Sequence, residues 1–143
     1  MKVREIMTKN PVCCTPDTPL AEVAKTMCER NIGELPVVDS QDGLKPMGVV
    51  TDRDIVCRSL AQGRNPQELS ARDVMTRTVV SVTPNTSLED CCRVLEERLI
   101  RRVVVVDEKG RCCGIVSQAD IARKCPSDVT SEVVREVSQP VAA

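Results

Sequence analysis

The sequence of 143 residues contains no histidine, phenylalanine, tyrosine or tryptophan. Without histidine there is no Ser-His-Asp or Cys-His catalytic arrangement and no imidazole ligand, which excludes the commonest hydrolytic and metal-dependent chemistries. Without aromatic rings there is no surface on which the bases of a single-stranded nucleic acid could stack. The hydrophobic core must therefore be built from aliphatic side chains and cysteine.

Neither sign of charge is in excess, since 20 Lys and Arg stand against 21 Asp and Glu. This balance, without a long basic run, argues against nucleic acid or an anionic membrane surface as a partner. No apolar stretch approaches the roughly 20 residues of a membrane span, and residues 1–5 do not resemble a signal peptide. We therefore expect a cytoplasmic protein that binds a small molecule or another protein.

The chain contains two copies of one unit. Arg-Glu-Ile-Met-Thr at residues 4–8 returns as Arg-Asp-Val-Met-Thr at residues 72–76, an offset of 68. After a two-residue deletion, Gly-Val-Val-Thr at residues 48–51 meets Gly-Ile-Val-Ser at residues 114–117. Such self-similarity indicates repeated structural units. The boundaries we assign are residues 1–66 for the first repeat, 67–126 for the second and 127–143 for a C-terminal tail helix.

Each copy predicts the order strand, helix, strand, strand, helix. The first helix follows from apolar residues at i, i+3, i+4, i+7 and i+8, and the paired strands follow from short apolar runs separated by turn residues. A capping box is predicted at Thr86-x-x-Glu89. The predicted strands are residues 12–14, 35–38, 47–51, 80–82, 103–106 and 113–117. The apolar stripe of the first helix consists of Leu20, Val23, Ala24, Met27 and Cys28 in the first copy and of Leu88, Cys91, Cys92 and Leu95 in the second. The second helix of each copy begins at Thr51 or at Ser117.

Both copies have the same order of predicted strands and helices, and both contain the motif Gly-hydrophobic-hydrophobic-Thr/Ser-x-x-Asp. This doubled arrangement resembles the cystathionine beta-synthase (CBS) domain family. The resemblance covers about residues 3 to 125. Two tandem copies look like a CBS pair, also called a Bateman module, and the sequence also looks like stand-alone bacterial CBS pairs. It implies an α/β (α+β) fold of two tandem β-α-β-β-α repeats with pseudo-twofold symmetry, plus a short C-terminal helix. It also implies a homodimer without catalytic activity, which requires no cofactor and regulates a separate, unknown protein.

The same resemblance implies adenosyl ligands, such as AMP, ADP, ATP or S-adenosylmethionine, in clefts between the repeats. It assigns ribose contacts to Asp54 and Asp120 and places a basic phosphate contact at Arg102, where the first repeat has Glu34. Aliphatic side chains would hold the base. The better site is expected to hold Arg102, Ser117, Asp120, Arg101 and Val12, and the second site Thr51, Arg53, Asp54 and Val80.

Structural interpretations of these residues stay open. Thr51-x-x-Asp54 and Ser117-x-x-Asp120 have the spacing of a helix capping box, and Arg101 and Arg102 could form a solvated edge or an ion pair. The alternative functions are a ligandless dimeric protein-interaction module and a thiol-based redox or metal sensor.

The nine cysteines include three adjacent pairs and no Cys-x-x-Cys spacing. A disulfide scaffold is not expected in a reducing compartment. Because the other repeat has hydrophobic residues at the aligned positions, core packing is the favoured interpretation for Cys14, Cys91, Cys92 and Cys113. Redox or metal chemistry stays open because adjacent thiols bind soft metals.

Overall fold

The computed structural model describes residues 1–77 and 80–124, which form two compact units. We call residues 11–77 with 110–112 the first-repeat unit, and residues 1–10, 80–109 and 113–124 the second-repeat unit. The predicted tail helix, with its stripe of Val129, Val133, Val134 and Val137, lies outside the described residues.

The described elements are numbered in chain order. The strands are β1 (Thr8–Lys9), β2 (Glu34–Val38), β3 (Pro46–Thr51), β4 (Thr76–Arg77), β5 (Ser81–Val82), β6 (Arg102–Val106) and β7 (Cys112–Ser117). The α-helices are α1 (Leu20–Arg30), α2 (Asp52–Arg58), α3 (Ala71–Val74), α4 (Leu88–Arg98) and α5 (Gln118–Lys124). Short 3-10 helices cover Val3–Glu5, Leu60–Gln62 and Pro66–Glu68.

In the first-repeat unit, α1 packs its apolar stripe against the antiparallel sheet β2-β3-β4. Leu20, Val23 and Met27 are buried as predicted, whereas Cys28 is exposed. Position 28 lies about 80° around the helix from Leu20, at the edge of the stripe, because each residue of an α-helix turns by about 100°. Cys28 therefore belongs to the surface.

The predicted strand at residues 12–14 is reduced to a single bridge. Cys14 pairs with Val37 in parallel, and its N–H donates to the carbonyl of Pro36 at 3.0 Å. Pro11 and Pro16 flank this segment and have no backbone N–H, so few donors remain for a longer ladder.

In the second-repeat unit the sheet order is β1-β7-β6-β5, with β5 and β6 parallel. The helix α4 covers this sheet with Leu88, Cys91, Cys92 and Leu95, all buried as predicted. Its N-cap is Ser87, whose Oγ accepts the N–H of Asp90 at 3.1 Å. The capping box predicted at Thr86 and Glu89 is wrong, because the Thr86 hydroxyl instead accepts the N–H of Thr83 at 3.0 Å and closes the preceding turn.

Each Met-Thr segment supplies an edge strand to the unit of the other repeat. Strand β1, near the start of the first repeat, pairs with β7 through Thr8 and Ile115. Strand β4, which precedes the body of the second repeat, pairs with β3 through Thr76 and Val49. The two compact units are therefore not contiguous stretches of sequence.

Candidate functional site

The first candidate site lies where β3 ends and α2 begins. Thr51 Oγ1 accepts the N–H of Asp54 at 3.0 Å, and the N–H of Thr51 donates to Asp54 Oδ2 at 3.0 Å. The capping box predicted here is therefore formed. Asp54 Oδ1 lies 3.9 Å from Arg58 Nε, and the Thr76 hydroxyl approaches it at 3.4 Å.

The second-repeat junction repeats this geometry where β7 meets α5. Ser117 Oγ accepts the N–H of Asp120 at 3.1 Å, and Ser117 N–H donates to Asp120 Oδ2 at 2.9 Å. Asp120 is only 5 % exposed, and its Oδ1 accepts Arg123 Nη2 at 2.7 Å. The two carboxylate oxygens of Asp120 therefore have different partners. Oδ2 caps the helix, whereas Oδ1 pairs with the mostly exposed side chain of Arg123.

The serine of this cap is expected to contribute to stability. Replacement of Ser117 by alanine removes the acceptor for the Asp120 N–H, so we expect the free energy of unfolding to fall by about 1 kcal/mol. Urea unfolding measures the difference. Ser81→Ala, in an exposed position of β5, is the control and is expected to have no resolved effect. Equal stability of both variants would contradict the capping role.

Arg101 and Arg102 lie beside the second-repeat junction. Arg102 opens β6, which neighbours β7, and the Arg101 carbonyl accepts the N–H of Gln118 at 2.9 Å. The start of β6 is thereby placed next to the end of β7, and the structure brings these arginines together with Ser117 and Asp120. Arg101 is exposed and Arg102 is half-buried.

The charges at the two junctions differ. In the first, Glu34 is the cross-strand neighbour of Thr51. The helix α2 adds two carboxylates and two arginines, so the junction and its helix carry three acidic and two basic side chains. The second junction carries one carboxylate against four cations, which are Arg101, Arg102, Arg123 and Lys124. A phosphate is electrostatically favoured at the second junction.

The remaining predicted contacts are dispersed. Arg53 is exposed on the first turn of α2, and its backbone N–H donates to Asp52 Oδ1 at 2.8 Å. Val12 packs partly buried on the core of the first-repeat unit, whereas Val80 packs on the core of the second-repeat unit. Val12 was predicted to share a site with Arg102, Ser117 and Asp120, which belong to the other unit. Val80 was predicted to share a site with Thr51, Arg53 and Asp54, which also belong to the other unit.

Gln118 was missed by the sequence analysis. Its Oε1 is buried and accepts no hydrogen bond from any other part of the described chain. A buried acceptor without a donor is costly, and a ligand N–H or O–H would relieve that cost. The sequence offers no signal for it, because the aligned residue of the first repeat is Asp52, which occupies an exposed position.

Within residues 1–77 and 80–124, no group of three or more Cys, Asp or Glu side chains has the arrangement of a metal site. No helix in those ranges is long and apolar enough to cross a membrane.

The sequence matches known proteins along most of its length. The CBS domain family profile matches residues 3–60 and 71–127. The chain is 36% identical over 139 residues to hypoxic response protein 1 of Mycobacterium tuberculosis, covering 97% of this chain and 95% of that protein. It is 32% identical over 126 residues to a Methanopyrus kandleri protein, covering 88% of this chain but only 63% of that relative.

Solved structures match as well. The crystal structure of hypoxic response protein I with two coordinated zinc ions has a TM-score of 0.75 at 36% identity, covering 88% of this chain and 100% of that one. The CBS domain pair of MJ0100 with 5′-methylthioadenosine and S-adenosylmethionine has a TM-score of 0.74 at 29% identity, covering 86% and 98%. CBSX2 in complex with AMP has a TM-score of 0.72 at 27% identity, covering 85% and 94%.

Both repeats are matched by the family profile, and the solved pairs share the mixed helix and strand architecture of this chain. The chain therefore belongs to the CBS domain family and carries two CBS domains in tandem.

Proposed function

We propose that this protein is a non-catalytic regulatory module that binds an adenosyl ligand and acts on a partner protein. The observation that carries the proposal is the second-repeat junction, where Arg101 and Arg102 stand beside the Ser117–Asp120 cap. The solved complexes of related pairs with AMP and with S-adenosylmethionine support the class of ligand. A location in the cytoplasm is part of the same proposal.

Arg102 is the proposed phosphate contact, with Arg101 as a second cation. A guanidinium offers paired donors that match phosphate oxygens, and the net positive charge of this junction favours an anion. The first-repeat junction has Thr51, Arg53 and Asp54 as proposed contacts, but Glu34 opposite Thr51 opposes a phosphate there. We therefore expect the second-repeat residues to bind the phosphate more tightly.

Asp120 is the proposed ribose contact, together with the hydroxyl of Ser117. Its Oδ2 is committed to the helix cap, whereas Oδ1 is held by Arg123, whose side chain is 69% exposed. A ribose hydroxyl can replace Arg123 at Oδ1 while the cap at Oδ2 stays intact. Gln118 Oε1 offers one further acceptor to a hydroxyl or amino group.

Thermal unfolding with and without AMP, ADP, ATP or S-adenosylmethionine tests the proposal. A ligand present at about 100 times its dissociation constant adds about 2.7 kcal/mol to the stability of the native state. For a chain of this size, the melting temperature then rises by several degrees. If none of the four compounds at millimolar concentration raises it, the adenosyl proposal is wrong.

The Arg102→Ala variant tests the phosphate contact. A charge-assisted hydrogen bond contributes about 1.5–3 kcal/mol, so the affinity for AMP should fall by about 10- to 150-fold. Isothermal titration measures it, and adenosine, which has no phosphate, should lose no affinity. Arg93→Ala, which removes an exposed arginine paired with Asp90, is the charge-matched control. Equal AMP affinity of the wild type and Arg102→Ala would refute this assignment.

A protein-interaction module is the second candidate. Val56 and Leu60 are 53% and 63% exposed on α2 and on the 3-10 helix that follows it. Exposed apolar side chains of this size suit an interface between copies of the chain. We expect a homodimer, and light scattering at micromolar concentration should give twice the monomer mass. A dimer without any ligand response would favour this second function.

A further inference from the structure

The helix α5 carries an arginine that its counterpart in the first repeat lacks. In the alignment of the two repeats, Arg58 of α2 corresponds to Lys124 of α5, whereas Arg123 corresponds to Cys57. Cys57 lies at an exposed position of α2. Arg123 is therefore an additional cation that the repeated architecture does not require.

The aligned cations, Arg58 and Lys124, have the same structural role in their own units. Arg58 Nη1 donates to the carbonyls of Val74 and Met75 at 3.2 and 2.8 Å. Lys124 Nζ donates to the carbonyl of Ile6 at 3.3 Å. Because Ile6 aligns with Val74, each cation holds the segment that leads into a Met-Thr edge strand. This position of the second helix thus serves the fold.

Arg123 instead pairs with the proposed ribose contact. Its Nη2 lies 2.7 Å from Asp120 Oδ1, and the two side chains are 69% and 7% exposed respectively. Within residues 1–77 and 80–124, Arg123 forms no other side-chain hydrogen bond. At the first junction the corresponding carboxylate, Asp54, lies 3.9 Å from Arg58 Nε, and Arg58 is anchored by carbonyls. The second junction alone therefore combines a buried carboxylate with a cation that is free to move away.

A ligand that uses Asp120 Oδ1 has to compete with this arginine. A ribose hydroxyl donating to Oδ1 replaces a charge-assisted hydrogen bond, which is stronger than a neutral one. A nucleoside offers the displaced guanidinium nothing in return, whereas the phosphate of a nucleotide can accept its paired donors. The ion pair therefore opposes the binding of a nucleoside more than it opposes that of a nucleotide.

We propose that Arg123 selects phosphate-bearing ligands at the second-repeat junction by exchanging partners. It pairs with Asp120 in the free protein and with the ligand phosphate when a ribose hydroxyl takes Asp120 Oδ1. The inference rests on the proposed function and narrows the ligand class at this junction to adenosine nucleotides. Recognition of the ribose and of the phosphate is thereby coupled through one side chain.

Isothermal titration of Arg123→Ala with AMP and with adenosine tests the exchange. Without the competing guanidinium, the affinity for adenosine should rise by about 2- to 5-fold, because an ion pair with an exposed partner is of modest strength. The variant loses both the competitor and the phosphate contact for AMP. The ratio of the AMP affinity to the adenosine affinity should therefore fall by about 5- to 20-fold.

Three further variants complete the design. Arg123→Lys keeps the positive charge and should retain most of the preference for AMP. Arg93→Ala removes an arginine that pairs with Asp90 at the same spacing of three residues, at 2.9 Å, and should leave both affinities unchanged. Thermal unfolding checks that each variant is folded. Arg123→Gln, which keeps a neutral donor for Asp120 Oδ1, replaces Arg123→Ala if the alanine variant does not fold.

The outcomes separate this inference from the proposed function. An adenosine affinity that stays the same or falls in Arg123→Ala would overturn the exchange, since the arginine would then not compete with the ribose. A wild type that binds both compounds, with the same affinity ratio in Arg123→Ala, would refute the exchange alone. A wild type that binds neither AMP nor adenosine would refute the proposed nucleotide site and the exchange together.

Discussion

Replacement of Leu95 by alanine is expected to lower the free energy of unfolding by about 2–5 kcal/mol. Leu95 lies on α4, is fully buried and belongs to the core of the second-repeat unit, with Val103, Val116 and Ile121. The chain has no aromatic side chain, so no large ring can collapse into the space that is left. Unfolding in urea measures the loss as a lower midpoint.

Two further variants show whether the loss of stability comes from the cavity at residue 95 or from any change of a leucine. The other repeat has Met27 at the aligned position, so Leu95→Met conserves volume and should cost less than about 1.5 kcal/mol. Leu99→Ala removes a leucine that is 43% exposed and should cost less than about 1 kcal/mol. A Leu95→Ala effect as small as that of Leu99→Ala would show that this core is not the one that stabilises the fold.

Gly48→Ala should cost about 1–3 kcal/mol because β3 and β4 approach too closely for a side chain. A Cβ built at residue 48 would lie 2.3 Å from the carbonyl oxygen of Thr76. That oxygen is part of the backbone of β4, so the edge strand itself would have to move. We expect a lower melting temperature in calorimetry, together with weaker pairing of residues 76–77 in hydrogen exchange.

Two other glycines are the comparison for this variant. At Gly114 the nearest atom would be Met7 Sδ, at 2.7 Å, and a flexible thioether moves more easily than a strand, so Gly114→Ala should cost less. At Gly33 the nearest atom is Asp52 Oδ2 at 3.2 Å, also on a side chain that can move. If Gly33→Ala proved as destabilising as Gly48→Ala, the close approach of β4 would not explain the effect.

Local chemistry allowed most of the elements to be predicted. The apolar stripe of α4 and the caps at Thr51 and Ser117 depend on residues within a few positions of each other, and the structure confirms them. The resemblance of the doubled motifs to the CBS domain family implied the fold class and the family, which the comparisons confirm. The assignment of ligand contacts to Arg102 and Asp120 stays a prediction.

The error at the start of α4 arose where two local choices compete. Thr86 and Ser87 are both good N-cap residues, and the hydroxyl of Thr86 is taken by the turn at Thr83, which leaves the cap to Ser87. Cys28 has the spacing of the apolar stripe of α1, but the sequence left its role undetermined, and the structure places it on the surface. Spacing along the chain does not decide between adjacent N-cap candidates, because both hydroxyls are good acceptors for the free N–H groups of a helix.

Periodicity, capping residues and the internal repeat sufficed to predict two copies of one unit with a similar strand-to-helix junction in each. These features depend on residues a few positions apart or on the similarity between the two copies, so they can be recognised in one sequence. The exchange of the Met-Thr edge strands and the burial of Asp120 were decided only by the tertiary structure. They depend on pairings between segments distant in sequence, where the packing of whole strands and helices selects one register among many that local preference allows.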